Sequence, residues 1–275
     1  MNLLSRLLEC KNDEEADKLI KEEIDKMQNS AQPIEQLGFL IYGKSVSCYK
    51  GFIPLNTRIK YASMNMETYG MESTDFFYEF AHFIRKYGIN TKGSLIHNME
   101  YFINQYFGFP GKCDRETIFN DNAWYSAATD EEYFEALDNN KIGDLKGKGA
   151  AECTERSALA QQLLSLFGTE AYYCMGCVDL GDRQEAHCFN LVKRKNDYAL
   201  LDYSIPVCSY NMDGSLKAYY PFVVQLSEEE FLEFINNGVL KEFGNYQYIG
   251  NTKQSIDTSR SYIVGSYSIE KGKTM

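Results

Sequence analysis

The stretch that decides the fold of this 275-residue chain is residues 149–159, which read GAAECTERSAL. From Glu152 onward, apolar residues recur at the spacing of a helix that buries one side. The predicted buried side consists of Leu159, Leu163, Leu166 and Phe167. Gly168 is the predicted end of this helix, because glycine readily adopts the left-handed conformation that follows a last helical turn. The sequence therefore places a cysteine, Cys153, at the start of a helix.

Three strands are predicted after this helix, because the spacing of apolar residues changes from that of a helix to every second residue. They are residues 171–178, 186–193 and 198–203. The polar residues 194–197 suit a tight hairpin turn between the second and the third strand. Helices followed by consecutive antiparallel strands are typical of the α+β class.

The hairpin also predicts which side chains face one another. With a four-residue turn, Lys193 faces Tyr198. In the same register Phe189 faces Asp202, which makes His187 the diagonal neighbour of Asp202 on one face of the sheet. A slip of one residue would move these two side chains to opposite faces.

Cys153 has the position of a thiol nucleophile. A thiol attacks as the thiolate, and we expect the helix N-terminus to lower the pKa of Cys153 through its positive dipole and free amide groups. Gly147 and Gly149 let the preceding backbone approach closely, and the amide of Cys153 can donate to the oxyanion that forms when a carbonyl is attacked.

A thiolate nucleophile needs a base within hydrogen-bond reach. His187 is the only histidine in the strand region, whereas His82 and His97 lie on predicted helices. A carboxylate at Asp202 can hold one ring nitrogen of His187 while the other faces the thiol. We therefore expect Cys153 as nucleophile, His187 as general base and acid, and Asp202 as the group that orients the ring.

The string at residues 149–159, followed by Gly168, His187 and Asp202, resembles the bacterial transglutaminase-like family over roughly residues 70–205. The spacings of 34 and then 15 residues suit the family's order of Cys, His and Asp. The resemblance implies a papain-like core, in which the nucleophile helix packs on an antiparallel sheet. It also implies thioester chemistry on amides, with the same three roles for Cys153 and its partners.

The family resemblance leaves the substrate open, because members include cross-linking enzymes, proteases, amidases and inactive relatives. It implies cysteine-dependent acyl transfer or hydrolysis at a peptide or side-chain amide, with a peptide or protein as substrate. The acceptor is water in a protease or amidase and an amine in a transglutaminase. The alternative is a catalytically inactive binding module that recognises a peptide or protein partner.

Three neighbouring signals are assigned no chemistry. No aromatic residue follows Cys153 directly, and the sequence has no run of Asp residues spaced like a calcium loop, so calcium activation is not expected. No Arg-Gly-Gly stretch typical of arylamine acetyltransferases precedes Cys153, so acetyltransferase activity is not expected either. Cys174 and Cys177 are three apart on a predicted strand and point to opposite faces, which disfavours zinc. Glu155 and Arg156 are interpreted as a surface pair. The sequence thus predicts neither a cofactor nor a metal.

The predicted organisation is an N-terminal extension over residues 1–63, with a helix and short strands, followed by a transglutaminase-like catalytic domain over residues 64–275. Asn12 and Glu15 form a capping-box-like start for the first helix. Further helices are predicted around Phe76 to Tyr87, Leu95 to Tyr106 and residues 129–137, and after Ser227. The closing strands are predicted at residues 246–249 and 262–269.

Charge and composition limit the partners. The net charge of −11 opposes binding to nucleic acid, and no basic run overrides this balance. The first ten residues lack the apolar region of a signal peptide, and no segment approaches a membrane-spanning length. Eight cysteines without an export signal indicate reduced thiols, so we expect a cytoplasmic protein with neither nucleic acid nor membrane as partner.

Overall fold

The computed structural model describes the helices and strands of the chain within the following ranges. These are residues 2–32, 47–60, 67–87, 95–107, 141–147, 151–179, 184–193, 198–210, 216–237, 240–243, 246–249, 253–255, 261–262, 267–268 and 273–274. The described helices are α1 (Leu3–Glu9), α2 (Asp13–Ser30), α3 (Asp75–Tyr87), α4 (Leu95–Phe107), α5 (Cys153–Leu166) and α6 (Glu228–Asn237), with a 3-10 turn at Ile142–Leu145.

The described strands number thirteen, and most belong to one sheet. They are β1 (Ser47–Lys50), β2 (Arg58–Lys60), β3 (Glu67–Gly70), β4 (Glu170–Asp179), β5 (Gln184–Lys193), β6 (Tyr198–Tyr210), β7 (Leu216–Leu226), β8 (Leu240–Phe243), β9 (Tyr246–Ile249), β10 (Lys253–Ser255), β11 (Ser261–Tyr262), β12 (Tyr267–Ser268) and β13 (Lys273–Thr274). The protein is therefore a mixed α+β protein, as the sequence predicts.

The centre of the large sheet is formed by the consecutive antiparallel strands β4 to β7. The order across the sheet is β10, β8, β9, β4, β5, β6, β7, β12 and β13, with β1 also paired to β4 and β11 to β7. Strand β10 runs parallel to β8. The strands β2 and β3 form a separate small sheet.

Helix α5 packs on the sheet and is covered on its other side as well. It contacts β4, β5 and β6, and it also contacts α2 and α4. The predicted buried leucines of α5 are buried, but so is every other residue from Thr154 to Leu166. The side of α5 predicted to face the core is therefore correct, but the packing of other elements over its polar side was not predicted. Gly168, with φ of 77°, ends the helical segment as predicted.

Amide side chains on α5 bind the backbone of the segment that precedes the small sheet. Gln162 accepts from the amide of Ile53 at 2.7 Å and donates to the carbonyl of Ile53 at 2.8 Å. Gln161 donates to the carbonyls of Gly51 and Ala171 at 2.7 and 2.9 Å. These bonds satisfy backbone groups that would otherwise be buried without partners. We call Gln161, Gln162 and the residues they bind the amide clamp.

The N-terminal helices pack into the same core as the sheet. Apolar residues of α1 and α2 join one buried cluster with α3 and α5, including Leu7, Ile20 and Ile24. A polar contact adds to this packing, since His82 Nε2 of α3 lies 2.7 Å from Asp17 Oδ1 of α2. Strand β1 pairs with β4 in the large sheet. The predicted domain boundary at residue 63 stays a prediction.

Most predicted elements that fall within the described ranges are present. The helix after Asn12 is confirmed, and the Asn12 side chain accepts from the amide of Glu15 at 2.9 Å. The helix after Ser227 is confirmed with a reciprocal pair of bonds between Ser227 and Glu230. The sequence missed α1 and the long strand β7. The helix predicted at residues 129–137 lies outside the described residues.

Of the closing strand predicted at residues 262–269, the described residues contain β11 and β12, and residues 263–266 lie outside the described ranges. Strand β9 has the predicted bounds. None of the helices in the described ranges combines the length and the apolar character needed to cross a membrane.

Candidate active site

Cys153 is the first residue of α5, and the backbone around it is held from both sides. The Glu155 carboxylate accepts from the amide of Glu152 at 2.7 Å, and the Glu152 side chain caps the amide of Glu155 in return. The side chain of Arg156 donates from Nε to the carbonyl of Ala151 at 3.0 Å. These contacts fix the turn that presents the thiol.

The interpretation of Glu155 and Arg156 as a surface pair is wrong, because both residues are fully buried. Arg156 donates from Nη1 to the Asn104 side chain at 2.7 Å, and Asn104 donates to the Glu100 carboxylate at 2.9 Å. The guanidinium also lies 5.8 Å from the centre of the Phe107 ring. The sequence carries no signal for this network, because α4 supplies its other half from about fifty residues away.

His187 and Asp202 form the contact that the sequence predicts. His187 Nε2 lies 2.6 Å from Asp202 Oδ2, and both residues are almost completely buried. The second carboxylate oxygen, Oδ1, accepts from the amide of Ser204 at 2.9 Å. Because Nε2 is engaged by the carboxylate, Nδ1 is the ring atom left for a thiol.

The strand register explains why these two side chains meet. Lys193 pairs with Tyr198, as predicted, and the β5–β6 ladder runs from this pair to Asn190 and Leu201. His187 and Asp202 lie just beyond the last pair, where the two strands separate. They share a face of the sheet, and the hairpin register predicted from the sequence is confirmed.

An irregularity in β6 begins directly after Asp202. The pairing of β6 with β7 shifts between Asp202 and Val207. Pro206 lies in the shifted part of β6 and Pro221 in the facing part of β7, and proline has no amide hydrogen to donate to a ladder. Such bulges re-aim side chains and are common beside active sites. Here the shift leaves Asp202 at the end of the regular ladder, beside His187.

Cys153 and His187 influence each other's pKa: His187 lowers that of Cys153, and Cys153 raises that of His187. The three predicted residues are therefore brought together in the order Cys153, His187, Asp202. Burial lowers the pKa of His187, but the Asp202 carboxylate and Cys153 outweigh it and raise the pKa from 6.5 to about 10. The pair of His187 and Asp202 is thus an imidazolium and a carboxylate at neutral pH.

The expected lowering of the Cys153 pKa is wrong. The neighbouring Cys188 thiol and burial raise the pKa of Cys153 well above its ordinary value, and the charge of His187 opposes them only in part. The helix N-terminus is therefore not the dominant influence on this thiol. At neutral pH the site holds a protonated thiol beside an imidazolium, one proton more than the reactive thiolate–imidazolium pair.

Cys188 also belongs to this site, although no motif in the sequence singles it out. It follows His187 on β5 and points toward α5, where Thr154 Oγ1 lies 3.5 Å from its sulfur. The Tyr173 hydroxyl donates to the same sulfur at 3.4 Å. Alternation along β5 carries the signal, since Cys188 and Asn190 share the face that contacts α5.

The described residues contain no group of three or more His, Cys, Asp or Glu side chains able to hold a metal ion. Cys174 is a buried free thiol whose sulfur contacts the Tyr172 carbonyl at 3.6 Å. It lies on β4 with Cys177, as predicted. The chemistry available in the described site is therefore that of thiol, imidazole and carboxylate.

Comparison of the chain with models of known families, with curated proteins and with solved structures gives no match. The resemblance to transglutaminase-like proteins accordingly stays a prediction from the motif. In the absence of a match, the function is inferred from the geometry and electrostatics of Cys153, His187 and Asp202.

Proposed function

We propose that this protein catalyses cysteine-dependent acyl transfer or hydrolysis at a peptide or side-chain amide, through a thioester on Cys153. The single observation that carries the proposal is the convergence of three residues from α5, β5 and β6. Cys153 interacts with His187, and His187 Nε2 lies 2.6 Å from the Asp202 carboxylate. A nucleophile, a base and a group that orients the base are the parts that nucleophilic catalysis requires.

The chemistry follows from the protonation of the pair. Once the Cys153 thiol has lost its proton to solvent, its sulfur attacks the amide carbonyl, a carbon–sulfur bond forms, and the carbonyl π bond opens to an oxyanion. The amide of Cys153 can donate to the resulting oxyanion. The His187 imidazolium then gives its proton to the leaving amine, the carbon–nitrogen bond breaks, and a thioester remains.

The second half of the reaction returns the thiol. Neutral His187 takes a proton from water or an amine, which attacks the thioester carbonyl, and the Cys153 thiolate leaves. Asp202 binds Nε2 of His187 and so orients the ring in both halves, which leaves proton exchange with the sulfur to Nδ1. Water as acceptor gives a protease or amidase, and an amine gives a transglutaminase.

The proposal also includes the class of enzyme that the motif at residues 149–159 resembles. A transglutaminase-like enzyme with a papain-like core is supported by the order helix, β4, β5 and β6 and by α5 packing against those strands. The net charge of −11 favours a basic peptide or amine over nucleic acid. A cytoplasmic location and a chemistry without cofactor belong to the same proposal.

One observation favours the alternative, a catalytically inactive binding module that recognises a peptide or protein partner. The pKa of Cys153 is raised, so the resting thiol is protonated, which is the state an inactive relative would keep. A binding module has no chemical need for a histidine held by a buried carboxylate, however. The two functions differ in whether His187 controls the reactivity of Cys153.

The test is the pH dependence of Cys153 alkylation by iodoacetamide in wild type and His187→Ala. We expect the wild-type rate to rise with pH, and the variant to lose roughly tenfold or more below pH 9, because each pKa unit is tenfold in thiolate. Tryptic mass spectrometry separates Cys153, on residues 149–156, from the other thiols. Cys174→Ala is the matched control, since this buried thiol lies outside the site.

Substrate turnover is tested with a pool of glutamine-containing peptides and hydroxylamine, which captures a thioester as a hydroxamate. Wild type and Cys174→Ala should form hydroxamates, and Cys153→Ala should form none. Equal Cys153 reactivity in wild type and His187→Ala, with no hydroxamate in any sample, would overturn the enzyme proposal in favour of the binding module.

A further inference from the structure

A second thiol lies against the proposed nucleophile. Cys188 is fully buried, and its thiol is the largest influence that raises the pKa of Cys153. The Thr154 hydroxyl joins the two, at 4.0 Å from the sulfur of Cys153 and 3.5 Å from that of Cys188. Both sulfurs therefore contact the same small hydroxyl, and a disulfide between them requires the two side chains to approach each other past it.

The surroundings of Cys188 direct its sulfur toward α5. The Tyr173 hydroxyl lies 3.4 Å from the sulfur of Cys188 and 3.5 Å from the Thr154 carbonyl. Tyr173 is itself fully buried, so this contact holds the second thiol from the β4 side. The partly buried Cys153 is the more accessible of the two thiols.

We propose that Cys153 is a site of oxidation by hydroperoxides and that Cys188 is its resolving thiol, so that the two form a reversible disulfide. The inference concerns regulation of the site assigned under the proposed function and rests on that function only for its consequence, the loss of activity. The disulfide itself needs only the two thiols and a hydroperoxide.

The chemistry balances in two steps. The Cys153 thiolate attacks one oxygen of the hydroperoxide, the oxygen–oxygen bond breaks, and Cys153 becomes a sulfenic acid. The leaving hydroxide or alkoxide takes its proton from the His187 imidazolium. The Cys188 sulfur then attacks the sulfenic sulfur, and water leaves with the proton of Cys188. The two thiols have lost two electrons, and the hydroperoxide has gained them.

Resolution by Cys188 has a chemical consequence for Cys153. A sulfenic acid without a neighbouring thiol is oxidised further to sulfinic and sulfonic acids, which are not restored by ordinary thiols. A disulfide to Cys188 stops this progress and is reversed by a dithiol. The second thiol therefore protects the nucleophile during oxidation at the cost of temporary inactivation.

Cys174 provides a matched control for Cys188. Both are fully buried free thiols on neighbouring strands, but only Cys188 is hydrogen-bonded to Thr154 and Tyr173 in the described site. Trypsin places Cys153 on residues 149–156, Cys188 on residues 184–193 and Cys174 on residues 157–183. A link from Cys153 to Cys188 therefore differs in mass from a link to Cys174 or Cys177, which share the peptide of residues 157–183.

The experiment treats the full folded chain with hydrogen peroxide, blocks free thiols with N-ethylmaleimide in acid, and maps non-reduced tryptic peptides by mass spectrometry. We expect wild type and Cys174→Ala to link residues 149–156 to residues 184–193, and dithiothreitol to remove the link. We expect Cys188→Ala to accumulate at least tenfold more sulfinic and sulfonic acid at Cys153. Circular dichroism checks that each variant is folded.

The wild-type protein alone decides the proposal if Cys188→Ala fails to fold. Sulfinic acid at Cys153 with no linked peptide would overturn it, and so would a link from Cys153 to residues 157–183. Hydroxamate formation is measured on the same samples. A linked peptide without any amide turnover would leave the disulfide standing and remove the proposed function, whereas turnover without a linked peptide would do the reverse.

Discussion

Helix α5 has two polar regions that are both buried and that behave differently. The first turn contains the ionisable residues Cys153, Glu155 and Arg156, and the pKa of Cys153 is set by the ionisable neighbours Cys188 and His187. The amide clamp, two turns later, contains neutral side chains that bind backbone amides and carbonyls of residues 51–53 and Ala171. The same helix therefore carries the proposed nucleophile at one end and binds the backbone of other segments in its middle.

The difference lies in what each region does with its protons. A neutral amide bound to backbone groups has one hydrogen-bonding state, so the amide clamp fixes residues 51–53 without depending on pH. In the first turn, the pKa of Cys153 depends on Cys188 and His187, and the pKa of His187 depends on Asp202 and Cys153. Perturbed pKa values are found together at functional sites more often than in structural packing. The contrast supports the site proposed at the N-terminus of α5.

The largest effect is expected when the carboxylate of the buried His187–Asp202 pair is removed, in comparison with the carboxylate of an exposed pair. Asp202→Asn removes the carboxylate that raises the pKa of His187, so this pKa should fall from about 10 toward or below 6.5. Loss of one partner of a buried pair should cost about 3–5 kcal/mol of stability at pH 6. Hydroxamate formation should fall by about 100-fold or more, because the ring loses its orientation.

The pH dependence of stability gives this prediction its sign. The folded-state pKa of His187 is raised, so the pair stabilises fully below pH 6.5 and loses this contribution as the pH rises through about 10. Asp202→Asn lacks this contribution, so the stability of the variant should change little between pH 6.5 and about 10. NMR titration of His187 and urea unfolding measure both quantities. Asp17→Asn, which removes the exposed partner of His82 at 2.7 Å, is the control and should change stability by under about 1 kcal/mol.

A smaller effect is expected in the amide clamp. Gln162→Ala removes both hydrogen bonds to Ile53 and leaves its backbone groups buried without partners. The cost should be about 1–3 kcal/mol of unfolding free energy, measured with urea. Alkylation of Cys153 in the folded protein should keep its wild-type pH profile, because this region has no charge.

The exposed amide Gln105, which donates to the Tyr101 hydroxyl at 2.8 Å, supplies the matched control. Gln105→Ala should change the unfolding free energy by less than about 0.5 kcal/mol. A shifted alkylation profile in Gln162→Ala would show that the two regions of α5 are coupled. The separation between chemistry and packing argued above would then be wrong.

Local patterns in the sequence predict the helix that begins at Cys153 and the hairpin that joins His187 to Asp202. A helix start and a hairpin register are local features, set by residues a few positions apart. Strand β7 was missed because Pro221 interrupts a segment that otherwise has strand composition, and proline argues against a central strand. The papain-like core is a finer prediction than the α+β fold that the structure gives.

The charges and thiols around Cys153 could not be predicted in the same way. Arg156 is buried because Asn104 reaches it from another helix, and no local pattern in residues 149–159 encodes that contact. The raised pKa of Cys153 depends on Cys188, which is adjacent to His187 in sequence but projects to the other face of β5. The dipole of a helix can be read from the sequence, whereas the environment that outweighs it requires the packed structure.

The smallest expected effect tests that environment directly. Cys188→Ala removes the largest influence that raises the pKa of Cys153, so alkylation of Cys153 should reach its midpoint at a lower pH than in wild type. The reactivity of Cys153 at neutral pH should rise accordingly. Cys174→Ala, which removes a buried thiol outside the site, should leave the midpoint unchanged. An unchanged midpoint in Cys188→Ala would mean that burial alone keeps Cys153 protonated, and the first turn of α5 would then differ from the amide clamp in its imidazolium and carboxylate rather than in its pair of thiols.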